Sequence, residues 1–325
     1  MELVAEIGPA NGDLQYALDV VNAAKESGFH SVKGQIYDRD KLVTQTAKTY
    51  AHDLAVPETQ YVDFANTLTQ DEWATVYTEA RRIQIPMFFS VFDFDAVTFC
   101  QTLGVDRYKI ASGDITYQQL LRRVRATGKP IVLSTGASTY VEVARAVRWL
   151  VQPVPLELTL VACSLSYPTR KDDAHLTRMN SLRSIWPEVG YSDHTFGVGA
   201  MIRAKHLGAV MVEKHFTITP GAGGDHDFAI TPTQMRELVE WDVGDPAYDG
   251  NPELEPSPAE TKARVGARRS MHAAEYLPKN RLLKAEDVVM LRPGGGLEPW
   301  MLDSYVGKPV TENVLAGVVL QARMF

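Results

Sequence analysis

His194, in Gly190-Tyr-Ser-Asp-His-Thr195, and His215, in Val212-Glu-Lys-His-Phe-Thr217, each stand where a short β-like run gives way to a loop. In a parallel α/β protein those positions fall at the carboxyl ends of neighbouring strands, where such folds keep their active sites. Two neutral imidazoles directed into one pocket suit a borderline divalent ion such as Mn²⁺, Co²⁺ or Zn²⁺. The competing reading is two unrelated histidines, each bonded to a nearby carboxylate.

Other strand ends carry chemistry of a different kind. Glu6 ends Ala5-Glu-Ile-Gly8, where a carboxylate can act as base, acid or metal neighbour. In Ser31-Val-Lys-Gly-Gln35 the alternation turns Lys33 and Gln35 the same way, and two polar groups inside a barrel are costly unless a ligand satisfies them. Tyr108-Lys-Ile-Ala-Ser-Gly-Asp114 combines Lys109 with the Ser112-Gly113 turn, a means of holding a small phosphate without a Walker loop. Leu133-Ser-Thr-Gly136 repeats the pattern with Ser134. Each fragment is weak alone, and their recurrence at successive strand ends gives them weight. Tyr167, in Cys163-Ser-Leu-Ser-Tyr-Pro-Thr169, faces either the pocket or a loop interior; Asp225, in Gly223-Gly-Asp-His-Asp227, binds a hydroxyl or stays solvated. Arg292 opens the glycine-rich turn Arg292-Pro-Gly-Gly-Gly296.

These residues need a scaffold that brings strand ends together. Apolar runs at 3–7, 31–35, 87–90, 107–110, 131–134, 156–162, 189–191 and 210–213 read as strands. Between them lie stretches of helical spacing such as 14–27, 70–83, 96–103, 139–151 and 197–207, and Gly28, Gly104, Gly128 and Gly208 close helices just before the next strand. Eight alternations predict a (β/α)₈ barrel over residues 1–241. A doubly wound open sheet is the alternative, weakened because no Gly-x-Gly-x-x-Gly follows the first strand. Residues 242–262 are turn-rich and acidic and read as a linker, and 263–325 reads as a small β-rich module that docks on something.

A net charge of −7 argues against a nucleic-acid partner. No apolar run approaches the roughly 20 residues of a membrane span. With Cys100 and Cys163 as the only cysteines and no signal-type leader, a cytoplasmic location is expected.

Taken together, the motifs above resemble the N-acetylneuraminate (sialic acid) synthase family over nearly the full length. Ala5-Glu-Ile-Gly8 with Asn11-Gly12, Val32-Lys-x-Gln35, and the runs around Lys109, Ser134, Tyr167, His194 and His215 all match it. The tail, with Arg268-Arg-Ser270 and Arg292-Pro-Gly-Gly-Gly296, resembles that family's antifreeze-like SAF domain. The resemblance implies metal-dependent condensation of phosphoenolpyruvate with an aldehyde sugar, N-acetylmannosamine or a relative, to give a nonulosonic acid. His194 and His215 would bind the metal, commonly Mn²⁺, with Mg²⁺ or Co²⁺ as alternatives. Lys33, Lys109, Ser112 and Ser134 would hold phosphoenolpyruvate, and Glu6 and Asp114 would serve the reacting centre. Tyr167 and Asp225 would face the acceptor. Arg292 would enter from the second subunit of a domain-swapped homodimer.

Departures from the family pattern cluster on the acceptor side. A histidine is replaced in Pro9-Ala-Asn-Gly12, and Ser90-Val-Phe-Asp93 lacks a hydroxyl expected near phosphoenolpyruvate. Leu165 stands where a polar residue is usual, Gly34 where an aromatic or histidine is, and residues 37–61 lack an acceptor-gripping Asn. These changes point to an acceptor other than the common hexosamine. Two alternatives remain: a homologue that binds sugar or phosphate without catalysis, and a pyruvate aldolase, which would need no phosphate site.

Overall fold

The computed structural model describes residues 1–8, 10–50, 58–152, 156–240 and 244–325. Eight parallel strands close into a barrel in sequence order: β1 (Glu2–Glu6), β2 (Ser31–Ile36), β3 (Met87–Val91), β4 (Tyr108–Ile110), β5 (Ile131–Ser134), β6 (Leu158–Ala162), β7 (Val189–Asp193) and β8 (Met211–His215). β8 returns to pair with β1, setting His215 beside Glu6. Helices such as Leu14–Glu26, Gln70–Arg82, Phe94–Leu103 and Tyr140–Val151 cover the outside. Their starts are chemically marked. Asp13 and Asp93 accept from the first-turn amides of Tyr16 and Ala96, and Thr69 and Thr139 form capping boxes with Glu72 and Glu142. Their ends are marked too: Gly28, Gly104, Gly128 and Gly208 all take positive φ, between 71° and 88°, as a left-handed helix stop requires.

Side-chain alternation then decides what reaches the mouth. Val4, Phe88, Val132, Val161 and Met211 form an apolar plug inside the barrel. Two residues further along each strand, on the same face, stand Glu6, Ser90, Ser134, Cys163 and Glu213, all lining the pocket above. The plug excludes water from beneath, so every polar group in the layer above must find a partner or a ligand.

Residues beyond the barrel stay in contact with it. The span read as a linker runs along the barrel: Arg203 pairs with Asp249 at 2.6 Å, the Leu176 amide donates to Tyr248, and Arg178 meets buried Glu260 at 2.9 Å. Further on, β9 (Ser270–Ala273) and β10 (Val288–Leu291) pair antiparallel, over a separate core that includes Met271, Leu283, Val310 and Leu320. Among the described residues no helix is long and apolar enough to cross a membrane.

Candidate active site

A cavity of about 540 Å³ opens at the carboxyl ends of the strands. Its floor is a buried charge cluster. Lys33 on β2 contacts the Glu6 carboxylate and donates to Ser90 Oγ at 2.9 Å. Lys109 on β4 donates to Glu213 Oε2 at 2.7 Å, Lys33 lies 3.5 Å from Glu213 Oε1, and Ser192 Oγ donates to the same carboxylate at 3.1 Å. Two ammonium and two carboxylate groups balance. Burial pulls the Lys33 ammonium down to about 8, with Lys109 adding repulsion and Glu213 opposing it. Burial alone would raise Glu213, but Lys109 and Lys33 hold it far below the ordinary carboxylate range. Lysines this dry exchange a carboxylate partner for an arriving anion at low cost.

Hydroxyls ring the cluster. Ser134 is 5 % exposed, and Ser112 Oγ accepts from the Gly136 amide at 2.9 Å. Ser90 and Ser192 join them, while Val91, which stands where the family has a hydroxyl, is fully buried and does not line the cavity. Glu213 and Ser192 were missed by sequence reasoning. The signal was there: Glu213 precedes His215 by two residues on one strand and must share its face.

The two histidines meet at one side of the cavity, ring centroids 5.6 Å apart. Between them in register, Asp193 and Lys214 point away from the pocket and form a fully buried pair at 3.0 Å, locking the end of β7 to β8. His194 Nδ1 donates to the Ser164 carbonyl at 2.8 Å, which leaves the Nε2 lone pair for a ligand. Burial holds His194 down at about 4 and His215 well below the usual imidazole range, so both are neutral at pH 7. His215 Nδ1 lies 3.5 Å from Asp225 Oδ2. Among the described residues no three His, Cys, Asp or Glu groups assemble for a metal. His194 and His215 are the two neutral imidazole donors that this wall offers a borderline divalent ion.

The mouth is aromatic and mixed in charge. Tyr37, Tyr50, Phe64, Phe92 and Tyr167 line it with Asp63, Asn66, Asp225 and Arg292. The Tyr167 ring lies tilted at 40° against His194, centroids 4.4 Å apart. Asp225, its side chain 48 % exposed, is still pushed up to about 6 by the pocket walls and then by Asp63. The Arg292 side chain, 4 % exposed in total, sits over Phe64 and Phe92, and its Nε has no hydrogen-bond partner.

Several expectations need correction. Asp114 does not line the cavity: it is fully buried and bonded to Arg269 Nε at 2.6 Å, a partner 155 residues away that no local pattern announces. Arg292 of this chain stands at the mouth of this chain's barrel, its amide donating to Leu42 and its carbonyl accepting from Thr44. Gly34 does not alter the pocket. It faces outward, where a Cβ would come within 2.8 Å of the Trp73 ring, so the glycine makes room for that indole. Leu165 lines the cavity and also packs with Ala137, Ala263 and Ala267 at the seam between barrel and tail. His226, from the loop after β8, brings its Nε2 within 2.7 Å of Asn11 Nδ2 at the cavity wall. An Asn does line the mouth, at Asn66, just past the segment searched for one; residues 51–57 of that segment lie outside the described residues.

Such a layout defines a class: a (β/α)₈ enzyme whose mouth joins an anion-binding floor to a two-histidine wall. The model of the NeuB family matches residues 20–242, and the chain belongs to that family. It is 34 % identical to the N,N'-diacetyllegionaminic acid synthase of Legionella pneumophila over 98 % of this chain and 92 % of that one. It is 30 % identical to the pseudaminic acid synthase of Helicobacter pylori, covering 99 % and 96 %. In fold it follows the spore coat polysaccharide biosynthesis protein spsE of Bacillus subtilis, with TM-score 0.84 at 23 % identity over 98 % and 93 % of the two chains.

Proposed function

We propose that this NeuB-family enzyme condenses phosphoenolpyruvate with an aldehyde sugar and water, releasing phosphate and a nonulosonic 2-keto-3-deoxy acid. The observation that carries the proposal is the Lys33–Lys109–Glu213–Glu6 floor beneath four serine hydroxyls, beside a neutral histidine pair. Names of the relatives at about a third identity support a sugar-acid product, and the acceptor is of the N-acetylmannosamine or diacetamido type.

The phosphate takes over Lys33 and Lys109, whose charges offset it as it leaves. Ser112 and Ser134, with Ser90 and Ser192, orient the enolate end. C3 of phosphoenolpyruvate forms the new bond to the aldehyde carbon, whose oxygen gains a proton. Positive charge appears at C2, and water adds there. Glu6 is placed to take that water's proton: Oε1 already accepts from the Gly8 amide and Gln35, while Oε2 is freed once Lys33 turns to phosphate. The C2–O bond to phosphorus then breaks, and the C2 hydroxyl loses its proton to leave the ketone. His194 and His215, with Asp225 beside them, would hold a divalent ion, Mn²⁺ by choice of donors. A bound ion of that kind supplies Lewis acidity toward the acceptor aldehyde. Tyr167 and Asp225 face the acceptor, and Arg292 closes its far side.

Phosphoenolpyruvate labelled with ¹⁸O in the C–O–P bridge tests the route. The label is expected in inorganic phosphate. Label retained in the organic product would overturn C–O cleavage.

A further inference from the structure

We infer that His226 is a positioning residue: its ring clasps the loop after β8 to the loop after β1 and so holds Asp225 at the acceptor side of the cavity. The inference rests on the proposed role of Asp225 and extends it to how that carboxylate is kept in place.

The apex of the loop after β8 has little else to hold it. Gly221, Gly223 and Gly224 take positive φ of 76°, 88° and 57°, and a Cβ on any of them would meet nothing within 4 Å. Glycines in open space leave the chain much conformational freedom to lose. The two ends of the loop are fixed. Upstream, the Thr219 amide donates to Thr217 Oγ1 at 3.0 Å. Downstream, buried Phe228 packs against His215 with ring centroids 5.0 Å apart, and the Ile230 amide donates to the His215 carbonyl at 2.8 Å. Bonds inside the apex are local: the Gly223 amide donates to Asp227 Oδ1 at 3.2 Å, and the His226 amide to the Gly223 carbonyl at 3.3 Å. Among the described residues, the hydrogen bonds that tie residues 221–227 to the barrel beyond this loop's own turn run through the His226 ring.

That ring spends both nitrogens. Nε2 lies 2.7 Å from Asn11 Nδ2 and accepts from the carboxamide, so Nδ1 carries the proton and donates to Thr217 Oγ1 at 2.7 Å. Thr217, fully buried, has its own proton left for Tyr16 Oη at 3.2 Å, and the Tyr16 ring meets the imidazole edge-on at 5.6 Å. Asn11 suits its end of the clasp. Its φ of 53° and ψ of 19° are left-handed, a conformation that Asn tolerates better than other side chains. Beside it, a Cβ on Gly12 would come within 3.3 Å of the Thr67 amide, so the clasp abuts the segment that brings Asn66 to the cavity. Asp225 precedes His226 directly. Its Oδ2 lies 3.5 Å from His215 Nδ1, and among the described residues its carboxylate accepts no hydrogen bond that would hold it there.

Two measurements decide it. Hydrogen–deuterium exchange of the full-length protein reads the clasp whether or not any acceptor is turned over, so its failure is separate from failure of the condensation. The variants are His226→Ala and Asn11→Gly, the second removing the carboxamide while leaving the left-handed backbone free. In each, peptides covering residues 219–230 should exchange about fivefold to tenfold faster than in the wild type, and the double variant should add less than about twofold to His226→Ala. Wild-type exchange in His226→Ala, or full multiplication of the two single effects, would overturn the inference. Steady-state kinetics read the consequence. His226→Ala should raise the acceptor KM about tenfold with the phosphoenolpyruvate KM within about twofold, and His226→Gln, whose Oε1 can still accept from Asn11, should return to within about threefold of wild type. Equal loss for both substrates, or a Gln variant no better than Ala, would contradict the positioning of Asp225 through this tie.

Discussion

Replacing Glu213 by Gln keeps the shape of the side chain and removes one negative charge from the cluster under the cavity. The carboxylate accepts from Lys109 at 2.7 Å and Ser192 at 3.1 Å and lies 3.5 Å from Lys33, with only 4 % of the residue exposed. Removing it takes the four-group balance from zero to one surplus positive charge. Breaking a buried pair by deleting one partner costs about 3–5 kcal/mol. The low end applies here, because Lys33, already down at about 8, can shed its proton at pH 7 for about 1.4 kcal/mol. The expected loss is therefore about 3 kcal/mol in urea unfolding at pH 7. Glu213 lies below its unfolded value, so its contribution is full above that value and fades as the pH falls through the folded one. The Glu213 contribution is thus constant between about pH 5 and 7, while releasing the Lys33 proton costs more as the pH falls, so the deficit should grow from pH 7 toward 5 and shrink only in more acidic solution. Inorganic phosphate, by neutralising the surplus charge, should stabilise the variant more than the wild type. A variant as stable as wild type at pH 7, with no added response to phosphate, would refute the view that Glu213 holds the lysines in place.

Other perturbations test neighbouring parts of the site. Because burial lowers Lys33 to about 8, kcat/KM for phosphoenolpyruvate should fall up to about tenfold per unit above that pH, and Lys33→Arg should flatten the decline; a flat wild-type profile to pH 10 would oppose a charged Lys33 at the phosphate. His194→Ala should abolish saturable Mn²⁺ binding in titration calorimetry while the circular dichroism spectrum is retained; unaltered Mn²⁺ affinity would remove this residue from the metal site. Arg292→Ala should raise the acceptor KM by about tenfold or more and leave that of phosphoenolpyruvate nearly unchanged, a split that an unaltered acceptor KM would disprove. Leu165→Asn should cost about 2–3 kcal/mol by burying an amide in the seam between barrel and tail; wild-type stability would place Leu165 outside that seam.

Much of the barrel could be read from the chain because its signals are local. Strand length, helix caps and glycine stops each occupy a few residues, and all eight runs became strands within two residues of their expected ends. Period-two alternation also brought Glu6, Lys33, Lys109, Ser134 and His215 to one face, as anticipated. What escaped was set by distance along the chain. Asp114 looks catalytic in its motif, and only Arg269 reveals it as an anchor. Gly34 looked like a change to the pocket until Trp73 was seen to fill its outer face. His226 and Asn66 enter the cavity from loops, where no periodicity fixes direction.

The central claim is that the lysine floor and the histidine wall serve one condensation. Release of inorganic phosphate from phosphoenolpyruvate, followed with Mn²⁺ across a panel of aldoses including N-acetylmannosamine, its 6-phosphate and a 2,4-diacetamido hexose, tests it most directly. The account predicts release that needs an acceptor, stops on chelation and is lost in His194→Ala. Acceptor-independent release, or none with any aldose while phosphoenolpyruvate and Mn²⁺ both bind, would contradict it.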